Sequence, residues 1–377
     1  MTYQVCSKCV MDTTDSAITF DVNGVCNHCI KFETVTSRDW YPNDEGLRRW
    51  KAIVEQIKQE GKGKEYDCIL GLSGGVDSSY LALVAKEAGL RPLALHVDAG
   101  WNSELAVANI ETIVKYCNFD LHTHVVDWEE VRDLQLAFMR SGIWNQDVPQ
   151  DHVFFSNLYH YAVSNGIRTL LLGGNLATEG VFPHSWDGSA MDAISLNAIH
   201  RMFGERRLKQ YRRISFLQYY FWFPMVKRMR TVRPLNYMPY NKKDAVAELE
   251  KLGWRAYGRK HGESVFTKLF QNYYLPARFG YDKRRPHLSS LIVSGQMTRA
   301  EAEVELAKSL YDPKELEIDI AYFCKKMRIT RAQFDAFVAA PRRDYREFPN
   351  WDRLYLVLKN LQRKAERILG RRINVYS

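Results

Sequence analysis

The sequence predicts an α/β protein: a parallel, doubly wound sheet with a small cysteine-bearing module before it and a mostly helical region after it. Three observations carry that expectation. From Tyr66 onward, apolar strand-like runs alternate with amphipathic helical runs, and the strand-like runs end in glycine, serine or aspartate. Four cysteines fall in two Cys-x-x-Cys pairs near the N-terminus. Toward Ser377 the pattern is polar and mostly helical. Strands alternating with helices imply a parallel sheet covered on both faces, and ligands of such sheets sit beyond the carboxyl ends of the strands. The expected organisation is a four-cysteine zinc-binding module over 1–40, an α/β domain over 41–235 and a helical substrate- or partner-binding region over 236–377.

In chain order, CSKC and CNHC dominate the first segment, and the turn-rich WYPNDEG leads into the helix-like LRRWKAIVEQIKQ. YDCILGL reads as a buried strand. In the following DSSYLALVAKEAG, Leu81, Val84, Ala85 and Ala88 fall at i, i+3, i+4 and i+7, a helical stripe. RPLALHVD is a second strand, and NSELAVANIETIVKYC places Val107, Ile110, Val114 and Cys117 on one helical face. LHTHVV reads as a third strand and TLLLGGN as a fourth. Residues 201–234 stand apart, with ten Lys/Arg against one Glu around FLQYYFWFPMV. That segment admits three readings: RNA held by phosphate contacts and stacking, peripheral contact with an anionic membrane, or a buried aromatic helix with cationic ends. Its eleven-residue apolar run is too short to span a bilayer.

Composition sets bounds. The chain has 377 residues, 46% hydrophobic and 26% charged, which is ordinary for a soluble globular protein. Its formal net charge of +9 suits an acidic partner such as a nucleotide, a polyanion or an anionic membrane surface. No apolar stretch of about 18 residues predicts a transmembrane helix, and MTYQVCSKCVMD lacks a signal-peptide pattern. Seven cysteines are an odd number for a disulfide scaffold, so a reducing cytoplasm is expected.

Cys6 and Cys9, then Cys26 and Cys29, are paired at a spacing that can close a tetrahedral zinc site in a zinc-ribbon-like module. A segment this short has little core without metal. Four cysteines complete the shell without His28, so a structural Zn²⁺ is expected. Cys68, Cys117 and Cys324 read as ordinary core cysteines.

The chemistry concentrates in ILGLSGGVDSS, residues 69–79. A loop leaving a strand and opening a helix presents backbone N–H groups to an anion. Gly71, Leu72, Ser73, Gly74, Gly75, Val76, Asp77, Ser78 and Ser79 form the expected cradle, and Asp77 beside phosphates implies Mg²⁺. No lysine lies between Leu70 and Leu83, so this is not a Walker A loop. SGGVDS resembles the signature of the PP-loop ATP pyrophosphatases, which share the adenine nucleotide alpha hydrolase-like fold. That resemblance implies ATP held by its β and γ phosphates while the α-phosphorus is attacked. It also implies nucleotide contacts from His96, Val97 and Asp98 in HVDAGW and from Gly173, Gly174, Asn175 and Glu179 in GGNLATEG.

CSKCVMDTTD, LGLSGGVDSSY, HVDAGWNSELAVANI and KLFQNYYLPARFGYDKRRPHLSSLIVSGQMTRAEA together resemble the N-acetyl sugar amidotransferase family of bacterial surface-polysaccharide (O-antigen, lipopolysaccharide) biosynthesis, over nearly the whole chain. The resemblance implies ATP-dependent conversion of an acetamido group into an acetamidino group on a UDP-linked N-acetyl sugar. It further implies ammonia from separate glutaminase and cyclase-like subunits resembling those of histidine biosynthesis. Asp77 and Lys268 are the catalytic candidates, and Lys260, His261, Lys283, Arg284, Arg285 and His287 the candidates for the sugar nucleotide. The alternative is a tRNA-modifying PP-loop enzyme, because paired Cys-x-x-Cys modules also accompany SGGxDS in tRNA thiolases. No sulfur-handling trio of cysteines is apparent, which disfavours nucleic acid as partner. A third reading is a non-catalytic nucleotide-binding scaffold that docks partners through its cysteine module.

Overall fold

The structure, a computed structural model, describes residues 2–186, 188–257 and 263–369. Two helices, α1 (Asn27–Thr34) and α2 (Asp44–Glu60), precede the sheet. The sheet elements then follow as β1 (Cys68–Gly71), α3 (Val76–Glu87), β2 (Pro92–Asp98), α4 (Glu104–Cys117) and β3 (Asp120–Val125). After α5 (Trp128–Ser141) and α6 (Val148–Ser164) come β4 (Thr169–Leu171), α7 (Leu176–Glu179), α8 (Ala193–Phe203), β5 (Arg230–Val232) and α9 (Lys242–Glu250). The strands lie in the order β3-β2-β1-β4-β5, every neighbouring pair parallel. Ile69 pairs with Leu93 on one side and Leu170 on the other, which puts β1 at the centre.

Period-2 alternation divides the core between the two faces of the sheet. Cys68, Leu70 and Ala94 pack with Trp50, Leu81, Ile110 and Leu249 of α2, α3, α4 and α9. Ile69, Leu95 and Leu170 pack on the opposite face with Leu158, Tyr159 and Ala162 of α6. The α3 stripe lies as the sequence places it, with Leu81, Val84 and Ala85 buried. The α4 face is rotated. Its buried arc runs through Ala106, Ile110, Ile113 and Cys117, and Val107 is 53% exposed because it sits about 100° round the axis from Ala106.

Residues 201–234 do not form a buried aromatic helix. Residues 204–214 are irregular, and two buried carboxylates satisfy part of their backbone: Asp133 accepts from the N–H groups of Glu205 and Arg206, and Glu130 from those of Lys209, Gln210 and Tyr211. A π-helix, Gln218–Val226, follows, with Phe223 its only fully buried member.

Beyond the sheet come α10 (Val265–Leu269), α11 (Leu275–Phe279), α12 (Arg284–Val293), α13 (Arg299–Ala307), α14 (Pro313–Met327), α15 (Arg331–Ala339) and α16 (Asp352–Leu369). Phe266, Phe270, Phe323 and Phe334 form an aromatic core with Trp101, which is stacked on Phe323 at 5.7 Å. The HVDAGW loop thereby fastens the helical region to the carboxyl side of the sheet. No helix among the described residues is long and apolar enough to cross a membrane.

Candidate active site

Strand order reverses between β1 and β4, so these neighbours flank a topological switch point, where α/β sheets bind ligands. SGGVDSS leaves β1 and GGN leaves β4, so both open on that crevice. Gly74 has φ +84°, and a Cβ there would lie 2.8 Å from the Ala106 carbonyl oxygen. The Gly74 carbonyl accepts from Trp254 Nε1 at 3.1 Å and Tyr257 OH at 2.8 Å. Those two bonds turn the oxygen away and leave the N–H side of the loop facing the crevice. Gly75 is the N-cap of α3 and supplies no side-chain cap, while first-turn N–H groups have no acceptor within their own helix. Ser78 braces the loop, accepting from Ser73 N–H at 3.2 Å and donating to the Gly75 carbonyl at 3.2 Å. Ser79 is fully buried, its hydroxyl without a partner among the described residues. Gly173 must be glycine for packing, since a Cβ there would come 2.8 Å from Ser78 N. A cradle this bare of side chains fits a phosphate chain.

Polar groups line the crevice. Asp77 accepts from the Tyr240 hydroxyl, whose pKa is raised by burial and by that carboxylate. A carboxylate has about four lone-pair sites, and Tyr240 takes one of those on Asp77. A Cβ built on Gly174 would stand 3.4 Å from Glu179 Oε2 and 4.0 Å from Arg233 Nε. Hard oxygen donors from Asp77 and Glu179 suit Mg²⁺. Asn175 caps α7 by accepting from Thr178 N–H at 3.0 Å. His96 is wedged behind the loop. Its Nδ1 lies 2.9 Å from the Leu72 carbonyl, an acceptor, so Nδ1 carries the proton and Nε2 accepts from Asn102 Nδ2 at 2.8 Å. Burial lowers the His96 pKa and favours that neutral form. Val97 is buried, and Asp98 accepts from Gly100 N–H at 2.7 Å, closing the turn that aims Trp101 at the C-terminal core.

The C-terminal region reaches the loop directly. Asn102 and Ser264 form a β-bridge, Ser103 N–H donates to the Glu263 carbonyl at 2.8 Å, and Glu263 Oε1 lies 3.6 Å from the Cβ position of Gly75. Near Glu179 is a second group of charges. Asp151 keeps part of its surface open, yet enough protein surrounds it to push its carboxyl up to about 8; Asp147 and Glu179 add to the rise and Lys283 opposes it. Gln271 Nε2 donates to Asp147 at 3.2 Å, and the Lys283 ammonium lies over Phe182 at 4.5 Å and Trp144 at 5.7 Å.

Of the basic residues singled out in the sequence, the structure brings Lys283 to this group and holds others elsewhere. Lys268 donates to Asp319 at 2.8 Å and to Glu315 at 2.5 Å, both on α14. Arg284 pairs with Asp282 at 2.7 Å and donates to carbonyls at the end of α13. Arg285 pairs with Asp12 at 2.9 Å and donates to the Val10 carbonyl, and His287 Nδ1 lies 3.0 Å from the Thr178 carbonyl. Lys260 and His261 lie outside the described residues. Arg233, Tyr240, Glu263 and Asp151 were not singled out. Only Arg233 had a local signal, an Arg-Pro step after a short β-branched run.

The four N-terminal thiols converge, with every Sγ within 4.8 Å of the others, Cys6 to Cys29 at 4.0 Å and Cys9 to Cys26 at 3.7 Å. Tetrahedral ligands at about 2.3 Å from zinc stand roughly 3.8 Å apart, so the quartet fits that metal. Backbone N–H groups of Lys8 and Cys26 point at Cys6 Sγ at 3.3 and 3.2 Å, as thiolate ligands require.

Fold and site define a parallel α/β protein whose C-terminal helical region packs onto the glycine-shaped loop at the switch point. That region, residues 263–362, matches the family model described as LPS biosynthesis protein WbpG-like, C-terminal domain. No curated protein matches the chain at a significant level. Among solved structures, NMN synthetase from Francisella tularensis is 19% identical at TM-score 0.29, over 37% of this chain and 59% of its own. NH3-dependent NAD synthetase from Campylobacter jejuni subsp. jejuni NCTC 11168 is 14% identical at TM-score 0.29, over 56% of this chain and 85% of its own. The U34-tRNA thiolase NcsA from Methanococcus maripaludis, solved with its 4Fe–4S cluster, is 14% identical at TM-score 0.35, over 80% of this chain and 89% of its own.

Proposed function

We propose that this chain is an ATP-using amidotransferase of surface-polysaccharide (O-antigen) biosynthesis, acting on the acetamido group of a UDP-linked N-acetyl sugar in the cytoplasm. The observation that carries this reading is the lysine-free, uncapped loop at the switch point, met at Gly75 by Glu263, the first residue of the LPS-biosynthesis-like domain. The α3 N-terminus holds the β and γ phosphates. Mg²⁺ held by Asp77 and Glu179 would neutralise charge on the departing pyrophosphate. The acetamido oxygen attacks the α-phosphorus and pyrophosphate leaves, which turns a poor leaving group into AMP. Ammonia then adds at the carbon, the old C–O bond breaks, AMP departs carrying the former acetamido oxygen, and one proton is released. Asp151 accepts that proton, and Lys283 and Arg233 take anionic groups of the sugar nucleotide. The cysteine quartet holds a structural Zn²⁺.

Ammonia comes from separate glutaminase and cyclase-like subunits, because the remaining thiols are poor nucleophiles. Burial raises the pKa of Cys68, of Cys324 and of Cys117, the last to about 11. The same inert thiols weigh against sulfur transfer to tRNA. The test is pyrophosphate release from ATP, Mg²⁺ and ammonium with either a UDP-N-acetyl sugar or bulk tRNA. Sugar-dependent pyrophosphate and AMP support the proposal. Dependence on tRNA, or release of ADP and orthophosphate, overturns it.

A further inference from the structure

The π-helix at Gln218–Val226 exposes its apolar side chains. Leu217, Phe221, Trp222, Met225 and Val226 all face solvent, Leu217 and Met225 at 67%. With more than four residues per turn, such a helix brings 217, 221–222 and 226 to one side. Its other side is occupied: Phe223 is buried, Tyr219 stacks on Trp351 at 6.1 Å, and Tyr220 lies 5.8 Å from Tyr355. Trp351 immediately precedes α16 and Tyr355 lies near its start, so the two elements adjoin. On α16, Leu354, Val357, Leu361 and Ile368 recur at i, i+3, i+7 and i+14, and all four are exposed. A helix that places its apolar stripe in water, beside a second exposed apolar element, is built to be covered.

The charges say by what. Arg353, Lys359, Arg363, Lys364 and Arg367 on α16 face only Asp352 and Glu366 in that helix. Lys227 and Arg228, both exposed, end the π-helix, and Lys227 lies over the Trp222 ring at 5.2 Å. Several exposed cations of the C-terminal region are matched: Arg299 with Glu303, Arg331 with Glu317 and Asp335, Arg343 with Glu347, and Arg346 with Asp344. Among the described residues no such carboxylate pair is recorded for the α16 cations or for Lys227 and Arg228. Two copies meeting through this surface would bring like charges together. Cations flanking an exposed tryptophan and an apolar helical stripe complement a surface of dispersed negative charge over hydrocarbon.

We propose that the π-helix and α16 together form a docking surface for an anionic lipid bilayer, seating the enzyme peripherally with no segment spanning the membrane. The test is co-sedimentation of the full chain with phosphatidylcholine vesicles, with and without phosphatidylglycerol, at low and high salt. Binding is expected only with the anionic lipid, and to weaken as salt screens it. Trp222→Glu with Met225→Glu, and separately Leu361→Glu with Ile368→Glu, should each reduce binding by at least about tenfold. Circular dichroism and the melting temperature of each variant should remain those of the parent. Equal binding to both vesicles, or none, overturns the proposal. So does a concentration-dependent dimer that these substitutions abolish in the absence of lipid, which would assign the surface to a second copy of the chain.

Discussion

Gly74 carries the shape of the phosphate loop. A side chain there must tolerate φ +84° and approach a backbone carbonyl to 2.8 Å, and that carbonyl is not a flexible side chain that could yield. Gly74→Ala should lower pyrophosphate formation roughly a hundredfold, about 2.7 kcal/mol of transition-state stabilisation, with weakened ATP binding by calorimetry. Undiminished ATP affinity would show that the loop's curvature is irrelevant to the nucleotide. Asp151 makes a prediction of a different kind. If its ionised form takes the proton, turnover should climb with pH through about 8. Asp151→Asn should flatten that limb and cost about 10²–10⁴-fold. The sign for stability runs the other way. The folded carboxyl is raised above its unfolded value, so the stability it confers is complete below the usual carboxylate range and is lost as pH rises through about 8. Melting temperatures of parent and Asp151→Asn should therefore diverge in favour of the variant as pH rises from the usual carboxylate range to about 8, and stay a constant distance apart above it.

At the level of elements, what the sequence disclosed was whatever is local. β1, β2 and β4 announce themselves because both faces are buried and the runs are continuously apolar, and SGGVDSS discloses the loop because its glycines and hydroxyls are consecutive. β5 was missed: three residues, Arg230–Val232, beginning and followed by arginine, show no period. The π-helix was missed because its aromatic run suits a buried α-helix equally well, and nothing local says which face the protein covers. Site residues divide in the same way. Tyr240, Glu263 and Arg233 reach the crevice through strand order and a β-bridge, which no sequence spacing encodes. Composition alone did not disclose that Lys268 would meet Glu315 and Asp319. The brace behind the loop offers a test at this scale. Tyr257→Phe deletes one of two bonds to the Gly74 carbonyl while Trp254 keeps the other. The loss should be about 1 kcal/mol, read as a several-fold rise in KM for ATP with kcat little altered. A fall in kcat with KM unmoved would place Tyr257 in the chemistry instead.

Across the whole molecule, the cysteine module packs against the segment that follows Glu179. Cys6, Cys9, Cys26 and Cys29 share a core with Val181, and the Phe32 ring rests where a Cβ on Gly180 would be. Ser185 and His28 both reach Asp15, and Arg285 of α12 grips Asp12 and the Val10 carbonyl. The segment so clamped begins one residue after Glu179, which stands beside Gly174. That packing gives the module a route by which to hold Glu179 in place, although its four thiols converge on one another. Cys9→Ser should reduce bound zinc measured by elemental analysis, lower the melting temperature and depress sugar-dependent turnover, while the loop retains the geometry to bind ATP. Arg285→Ala separates the two contributions, because it leaves the cysteines intact but takes the charged partner from Asp12, which is 1% exposed and would keep only its bonds from Tyr3 and Thr14. Removing one partner of a buried pair costs about 3 kcal/mol, so this variant should unfold at lower urea yet still carry its zinc. Its activity should fall below that of the parent even where both are folded. If instead Arg285→Ala kept full turnover once folded, the module would be a stabiliser only, with no hold over Glu179.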